Sequence, residues 1–111
     1  MQGLENEIVT ELTEELKDDP LFNPVVLASK VRNAIREVSL RRNYSASTYT
    51  DDQIETDLYN NYYSVIVNVA RYDYNQIGAE GQTSHSENGV NRTWKDRDSL
   101  FGSVNAFVKI L

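Results

Sequence analysis

The stretch TDDQIETDLYNNYYSVIVNVARYDYNQIG, residues 50–78, decides the fold because it carries the longest helix-like pattern in the chain. Its apolar side chains recur at spacings of three and four residues, as they do on one side of an α-helix. Thr50 and Gln53 have the spacing of a capping box, and Gly78 is a common residue at a helix end. We predict one helix of about 27 residues, about 40 Å long at 1.5 Å per residue.

This predicted helix has two apolar faces. One face comprises Ile54, Leu58, Tyr62, Val65, Val69 and Tyr72, and the other comprises Tyr59, Tyr63, Ile66, Ala70 and Ile77. A helix that is apolar on two sides needs cover on both. Two shorter helices cover one face well and the second only partly. The rest of the second face is therefore either an interface with another chain or covered by the C-terminal segment.

Two shorter helices are predicted before the long one. The first has apolar residues at every fourth position and ends before Pro20, because proline disfavours helical geometry in the preceding residue. The second begins at Asn23-Pro24, a capping residue followed by a proline suited to the first turn, and runs to about Leu40. We therefore predict a mainly α fold, with a three-helix core and a long central third helix.

Two further segments follow the long helix. Residues 78–96 contain the hairpin-turn signal Asn88-Gly89, which predicts a small β-hairpin or extended arm. Residues 99–111 form an apolar C-terminal segment whose pattern fits a helix and a strand equally well. Several large apolar side chains together should find a surface to bury them. Because a chain end can reach out without disturbing a core, we expect this segment to dock on a partner chain.

The composition indicates a single soluble, intracellular domain, residues 1–111. The length is close to the commonest domain size, and the absence of cysteine excludes disulfides and thiolate metal sites. The acidic N-terminal stretch lacks the apolar segment of a signal peptide, and no window is long and apolar enough for a membrane span. The net charge of −6 disfavours general nucleic-acid binding, whose affinity comes mainly from phosphate neutralisation.

The sequence shows no constellation of catalytic or metal-binding residues. The only histidine, His85, has no partner cysteine, and its neighbours Ser84 and Ser86 would point to the opposite face of a strand. The glycines match neither a dinucleotide fingerprint nor a phosphate loop. We predict that the protein is not an enzyme and needs no cofactor or metal. The basic helix at 24–42 leaves one alternative, a small helical DNA-binding regulatory protein.

Several motifs together point to a known family. They are TDD at 50–52, YDYNQIG at 72–78 with the following AEG, SHSENGV at 84–90, RTW at 92–94 and DSLF at 98–101. In combination they resemble the head–tail connector (adaptor) proteins of tailed bacteriophages, which are often labelled DNA-packaging proteins. The resemblance covers about residues 24–111 and is most specific from 72 to 94.

The resemblance implies a mainly helical subunit of a ring, usually twelve-fold, under the portal protein at the capsid vertex. A tail or stopper protein would attach below the ring, and viral DNA would pass through it without specific binding. The protein would reside at the head–tail junction of the virion, and in the host cytoplasm during assembly. The alternating acidic and basic blocks of the chain suit a head-to-tail contact between identical subunits.

Two sets of contact residues follow from these expectations. We expect contacts with partner proteins in the arm and the C-terminal segment, at Gln82, His85, Asn88, Gly89, Arg92, Trp94, Phe101, Val104, Phe107, Ile110 and Leu111. We expect contacts between subunits at Arg32, Arg36, Asp52, Tyr59 and Tyr63. No catalytic, cofactor-binding or metal-binding residue is predicted.

Overall fold

The computed structural model describes residues 2–79 and 97–108, and this part of the chain is mainly helical, as predicted. Its elements are α1 (Gln2–Leu16), α2 (Pro24–Arg42), a 3-10 turn (Tyr44–Ala46), α3 (Asp51–Asn61) and α4 (Tyr63–Ala79). The described residues contain no β-strand. The hairpin or arm predicted at 78–96 lies almost entirely outside them and stays a prediction.

The boundaries of α2 follow from local capping, close to the predicted positions. The side chain of Asn23 accepts hydrogen bonds from the backbone N–H groups of Val25 (3.1 Å) and Val26 (3.2 Å). The helix continues slightly beyond its predicted end, to Arg42, where Asn43 adopts a left-handed conformation with φ 58°. Asparagine tolerates this conformation better than most residues, which makes it a suitable helix terminator.

The prediction of one long third helix is wrong, because the helix is interrupted at Tyr62. This residue has φ −127° and ψ 9°, so α3 ends before it and α4 begins after it. The N–H of Tyr62 still donates to the Leu58 carbonyl, and its carbonyl accepts from the Ile66 N–H. The interruption is therefore local. Asn60 and Asn61, residues of low helix propensity, directly precede it.

Helix α4 packs mainly against α2 and also contacts α1 and α3. Both apolar faces predicted for the long helix contribute to the core: Leu58, Tyr62 and Val69 are buried on one face, and Ile66 and Ala70 on the other. The second face therefore obtains most of its cover within the chain.

The C-terminal segment packs against its own chain. Short i→i+3 hydrogen-bonded turns extend to Val104, and the chain continues to Val108 without regular structure. Phe101 is only 4% exposed, and Leu100, Val104 and Phe107 pack against the core. From Leu100 to Val108 the segment forms neither the helix nor the strand that its pattern allowed. Where it is described, the segment thus buries apolar side chains against its own chain, and its docking on a partner stays a prediction.

The capping box predicted at the start of α3 is confirmed. Thr50 Oγ1 accepts from the Gln53 N–H at 3.2 Å, and Gln53 Oε1 accepts from the Thr50 N–H at 2.9 Å. We expect Thr50→Ala to lower the free energy of unfolding by about 1 kcal/mol, since one helix-end donor loses its partner. Urea denaturation measures this. Thr56→Ala, at an exposed position of α3, is the control, and an equal loss there would contradict the capping role.

Candidate functional site

A buried acid, Asp57, connects α3 to the end of α2 and to the 3-10 turn. Asp57 is 8% exposed. Its carboxylate accepts hydrogen bonds from Arg42 Nε (3.0 Å), the Tyr44 hydroxyl (2.6 Å) and Asn61 Nδ2 (2.7 Å). A carboxylate is stable in a protein interior only when it is paired and hydrogen-bonded. The cluster therefore ties three consecutive elements together through one charge.

The pKa values of the cluster follow from its geometry. Burial acts to raise the pKa of Asp57, but hydrogen bonds from Tyr44, Asn61 and Arg42 outweigh it, and the pKa is lowered. Burial also raises the pKa of the Tyr44 phenol, and its hydrogen bond to Asp57 raises it further. Asp57 is therefore ionised and Tyr44 neutral near pH 7, which is the state that the pairing requires.

A second lowered pKa belongs to Glu37 on α2. The hydrogen bond from Arg97 is its main cause, and burial opposes the shift only in part. Arg97 in turn has a raised pKa, first because of its hydrogen bonds to Asp73 and Glu37. The pKa of Glu37 is thus lowered mainly by an arginine, whereas that of Asp57 is lowered by the Tyr44 and Asn61 hydrogen bonds together with Arg42.

We predict that the protein loses stability in acid because of Asp57 and Glu37. The folded-state pKa of each lies below its unfolded value, about 3.9 for Asp and about 4.3 for Glu. Their stabilising contribution is therefore complete above the unfolded pKa and is lost as the pH falls through the folded pKa. Urea denaturation at pH 7 and pH 3 should give a lower free energy of unfolding at pH 3. Asp57→Asn should narrow this difference, and an unchanged difference would contradict the assignment.

Arg97 joins the end of the chain to α2 and α4. Its guanidinium donates to both carboxylate oxygens of Asp73 (2.8 and 2.9 Å) and to both of Glu37 (2.9 and 2.7 Å). The side chains of Arg97 and Asp73 are each 17% exposed. Bidentate pairs of this kind fix the relative orientation of the two side chains as well as neutralising their charges. We call Arg97, Asp73 and Glu37 the Arg97 clasp.

The Arg97 clasp fixes the base of the segment 80–96. Asp73 lies on α4, which leads into this segment, and Arg97 is the first described residue after it, so the chain returns to the helix that it left. The predicted contacts Gln82, His85, Asn88, Gly89, Arg92 and Trp94 belong to this segment and lie outside the described residues.

The partner contacts predicted in the C-terminal segment are engaged within the chain where they are described. Phe101 lies beneath the Arg41 guanidinium, whose central carbon is 3.9 Å from the ring centroid. Val104 and Phe107 are half-buried against the core. In this conformation the three side chains are only partly accessible to another protein, or not at all. Ile110 and Leu111 lie outside the described residues.

The residues predicted for a subunit interface lie on different helices and do not form one cluster. Arg32 and Arg36 are exposed on α2, and Asp52 is exposed in the first turn of α3. Tyr59 and Tyr63 lie on either side of the interruption, with ring centroids 5.5 Å apart. Tyr59 is the more exposed of the two tyrosines. Such a distribution suits a contact in which different surfaces of two subunits meet.

Two of these residues also have partners on α1 of the same chain. The hydroxyl of Tyr59 donates to the Glu7 carboxylate. Arg32 Nη1 lies 3.8 Å from Glu5 Oε2, with the arginine side chain about half exposed. Exposed pairs of this kind contribute little to stability and can exchange partners at low cost.

The clusters around Asp57 and Arg97 were missed from the sequence. Asp57 lies three residues after Ile54 and next to Leu58, within the buried side of the helix. An acidic residue at a helix position that lies on the same face as the apolar stripe is a signal that could have identified Asp57 as buried. The partners of Arg97 lie 24 and 60 residues away in the chain, and no spacing rule identifies them.

An open polar depression of about 400 Å³ is lined by Tyr49, Asp52, Gln53, Thr56, Asp57, Asn60 and Asn61. The carboxylate of Asp57 is already bound there, and the neighbouring groups do not form a nucleophile–base pair. Within residues 2–79 and 97–108, no group of three or more His, Cys, Asp or Glu side chains is placed to hold a metal ion. No helix in that part of the chain has the length and hydrophobicity to cross a membrane.

Comparisons with known proteins add no relative to this picture. Neither the protein-family models nor the curated proteins nor the solved structures gave a significant match to the chain. The resemblance to head–tail connector proteins therefore rests on sequence motifs alone, and the function has to be argued from those motifs and the geometry of the chain.

Proposed function

We propose that the protein is a structural component of a bacteriophage virion, which forms a ring between portal and tail. The ring would give viral DNA a conduit and give a tail or stopper protein a platform. The observation that carries the proposal is the Arg97 clasp. It holds the base of the segment 80–96, which contains the most specific motifs of the connector resemblance, at a fixed place on the helical body.

A segment whose base is held by the Arg97 clasp suits the role of an assembly arm. A contact loop must project from a defined position on each subunit, because a ring repeats the same contact at every subunit. Asp73 and Glu37 on two packed helices give the exit of the segment that position through Arg97. Ordering part of an arm in advance reduces the entropy lost on binding. The polar contacts predicted between 80 and 96 would then meet a neighbouring subunit, the portal or the stopper.

The charges of α2 favour this function over the DNA-binding alternative. Several arginines of the helix pair with acids of the same chain: Arg32 with Glu5 (3.8 Å), Arg41 with Glu37 (3.4 Å) and Arg42 with Asp57 (3.0 Å). Arg42 in particular is only 15% exposed and is committed to a buried carboxylate. An arginine committed in this way, as Arg42 is, does not neutralise a phosphate, whereas an acidic ring wall would let DNA slide without capturing it.

Electron microscopy of the purified protein with portal rings from the same phage tests the proposal directly. We expect a second ring stacked coaxially on the portal. The Arg97→Met protein, in which the base of the arm is no longer held, should decorate few portals or none. Portal rings that stay bare with the unchanged protein, at concentrations well above those in an infected cell, would contradict the proposal.

Binding to duplex DNA separates the two candidate functions. Because the chain is acidic and several arginines of α2 are paired, we predict only weak binding that disappears as salt is raised. A gel-shift titration at physiological salt, with specific and unrelated duplexes, measures this. Nanomolar, sequence-selective binding would contradict the connector function and support a DNA-binding regulator that uses residues 24–42.

A further inference from the structure

The ring of Phe107 occupies a groove built from earlier parts of the chain. Its centroid lies 5.0 Å from the ring of Tyr49, in an edge-on arrangement, and 5.9 Å from the ring of Tyr44. The Arg42 guanidinium covers it, with the central carbon 3.9 Å from the Phe107 ring centroid. Two aromatic rings and one cation thus surround a single phenylalanine, an arrangement with favourable ring–ring and cation–π contacts.

The groove also binds the backbone around Phe107. The Phe107 N–H donates to the Arg42 carbonyl at 2.8 Å, and Asn43 Nδ2 donates to the Phe107 carbonyl at 3.1 Å. Arg42 Nη1 donates to the carbonyl of Asn105 at 2.7 Å. Main-chain hydrogen bonds plus one pocket for a large side chain are the way in which many proteins bind an extended peptide. We call the segment 104–108 the strap.

The groove is held in shape by residues outside the strap. Arg42 is oriented by its hydrogen bond to Asp57, and Tyr44 donates to the same carboxylate. Asn43 is fixed as the left-handed residue that ends α2. These contacts of Arg42, Tyr44 and Asn43 do not involve the strap. A binding site whose donors are positioned in advance loses little entropy when a ligand enters.

The strap has few other attachments. Between the buried Phe101 and the half-buried Val104, Gly102 and Ser103 are exposed, and beyond Phe107 the side chain of Val108 is 78% exposed. Phe101 anchors the turn that precedes the strap independently, under Arg41. The strap can therefore leave the groove by rotation at residues 102–103 while the buried Phe101 stays in place.

We propose that this groove is a peptide-docking site, and that it takes the strap of a second copy of the chain in exchange for its own. The ligand class is an extended segment with a phenylalanine, and the fit of 104–108 is shown by its contacts within the chain. Exchange of an identical element between copies preserves every contact and needs only a hinge. The inference stands independently of the proposed virion function, although a ring would bring straps and grooves of neighbours together.

Exchange between copies competes with the strap of the same chain. A short flexible tether gives an effective concentration on the order of millimolar, so at micromolar protein each groove holds its own strap. Dilute solutions should therefore contain mostly unexchanged chains. Vacating the groove, or crowding many copies together, shifts occupancy towards the strap of another copy.

The first experiment uses a fluorescent peptide of residues 103–108, SVNAFV, and the full-length Phe107→Ala protein, whose groove is vacant. We expect this variant to bind the peptide at least about tenfold more tightly than the unchanged protein, whose own strap competes. The same peptide with alanine in place of phenylalanine should not bind. The proposal would be overturned if the Phe107→Ala protein has a normal circular dichroism spectrum but does not bind SVNAFV. It would also be overturned if the variant binds both peptides equally.

Matched tyrosine variants locate the binding. Tyr49→Ala removes a ring that contacts Phe107, whereas Tyr59→Ala removes a comparably exposed ring elsewhere on the surface. In the Phe107→Ala background, the first change should abolish peptide binding and the second should leave it intact. Equal effects of the two changes would place the peptide outside the groove.

A second experiment tests exchange between copies. The Phe107→Ala protein keeps the groove, and the Tyr49→Ala protein keeps the strap. When they carry different tags and are mixed, each tag should recover the other protein, whereas neither variant should recover a differently tagged copy of itself. Mixed recovery no greater than self-recovery would overturn the second-copy assignment.

If Phe107→Ala does not fold, hydrogen exchange in the unchanged protein decides the matter. The Phe107 amide bonds to the Arg42 carbonyl and should be protected. Millimolar SVNAFV should displace the strap and accelerate exchange of this amide, while amides in the middle of α4 stay protected. No acceleration at Phe107 under these conditions would overturn the proposal.

Discussion

Replacing Asp57 with alanine is expected to lower the free energy of unfolding by about 3 kcal/mol. The change removes the acceptor of Arg42, Tyr44 and Asn61, and Arg42 is only 15% exposed. An arginine left in that position keeps its charge without a partner, and the Tyr44 hydroxyl loses its acceptor in a buried place. Urea denaturation followed by circular dichroism at pH 7 measures the loss.

Two further variants test the reason for that loss. Asp52→Ala, an exposed acid in the first turn of the same helix, should cost no more than about 1 kcal/mol through the helix dipole. Combining Asp57→Ala with Arg42→Met should cost clearly less than the sum of the single changes, because the unpaired charge is gone. Additive losses, or a loss below about 1 kcal/mol for Asp57→Ala, would show that the cluster is not what connects α2 to α3.

The second large effect is expected for Arg97→Met, which removes the Arg97 clasp but keeps an apolar side chain. We expect the free energy of unfolding to fall by about 2 kcal/mol. This value is at the lower end for hydrogen bonds to charged groups, because Glu37 is partly solvated. The structural consequence is local. Residues 97–103 lose their link to α2 and α4, so amides of this turn should exchange faster than those of the helices. If the proposed function is correct, the fraction of portal rings that carry a second ring should also fall.

Arg71→Met is the matched control for the Arg97 clasp. Arg71 also makes a two-pronged pair, with Glu15 at 2.7 and 2.9 Å. Its side chain and that of Glu15 are 35% and 42% exposed, and the pair joins α4 to α1 rather than to the chain end. Its removal should cost at most about 1 kcal/mol and leave portal decoration unchanged. If both variants lost decoration equally, the position of the clasp would be irrelevant to assembly.

The connector hypothesis, the arm contacts and the ring remain predictions from sequence motifs. The structure adds a reason to test them at Arg97, a place that composition and periodicity did not identify. The prediction of partner contacts at Phe101, Val104 and Phe107 depends on the apolar character of these residues. That property draws them to the body of the chain as readily as to a partner.

The sequence by itself determined the local features of this protein. The start of α2 at Asn23, the capping box of Thr50 and Gln53, and the apolar stripes of the helices depend on residues within a few positions of one another. Such interactions follow from the spacing of the side chains along a helix, so they can be predicted from the amino-acid sequence alone. The same reasoning gave the mainly α class.

Tertiary structure decided the rest. Whether the helix stops at Tyr62, whether Asp57 is solvated or buried, and where the C-terminal segment lies depend on which surfaces meet. Arg97 has partners 24 and 60 residues away, and Arg42 contacts Asn105 across 63 residues. A charge or an apolar side chain specifies only that a partner is needed. The three-dimensional packing of the helices selects that partner, because burial makes unpaired charges and exposed apolar surface costly.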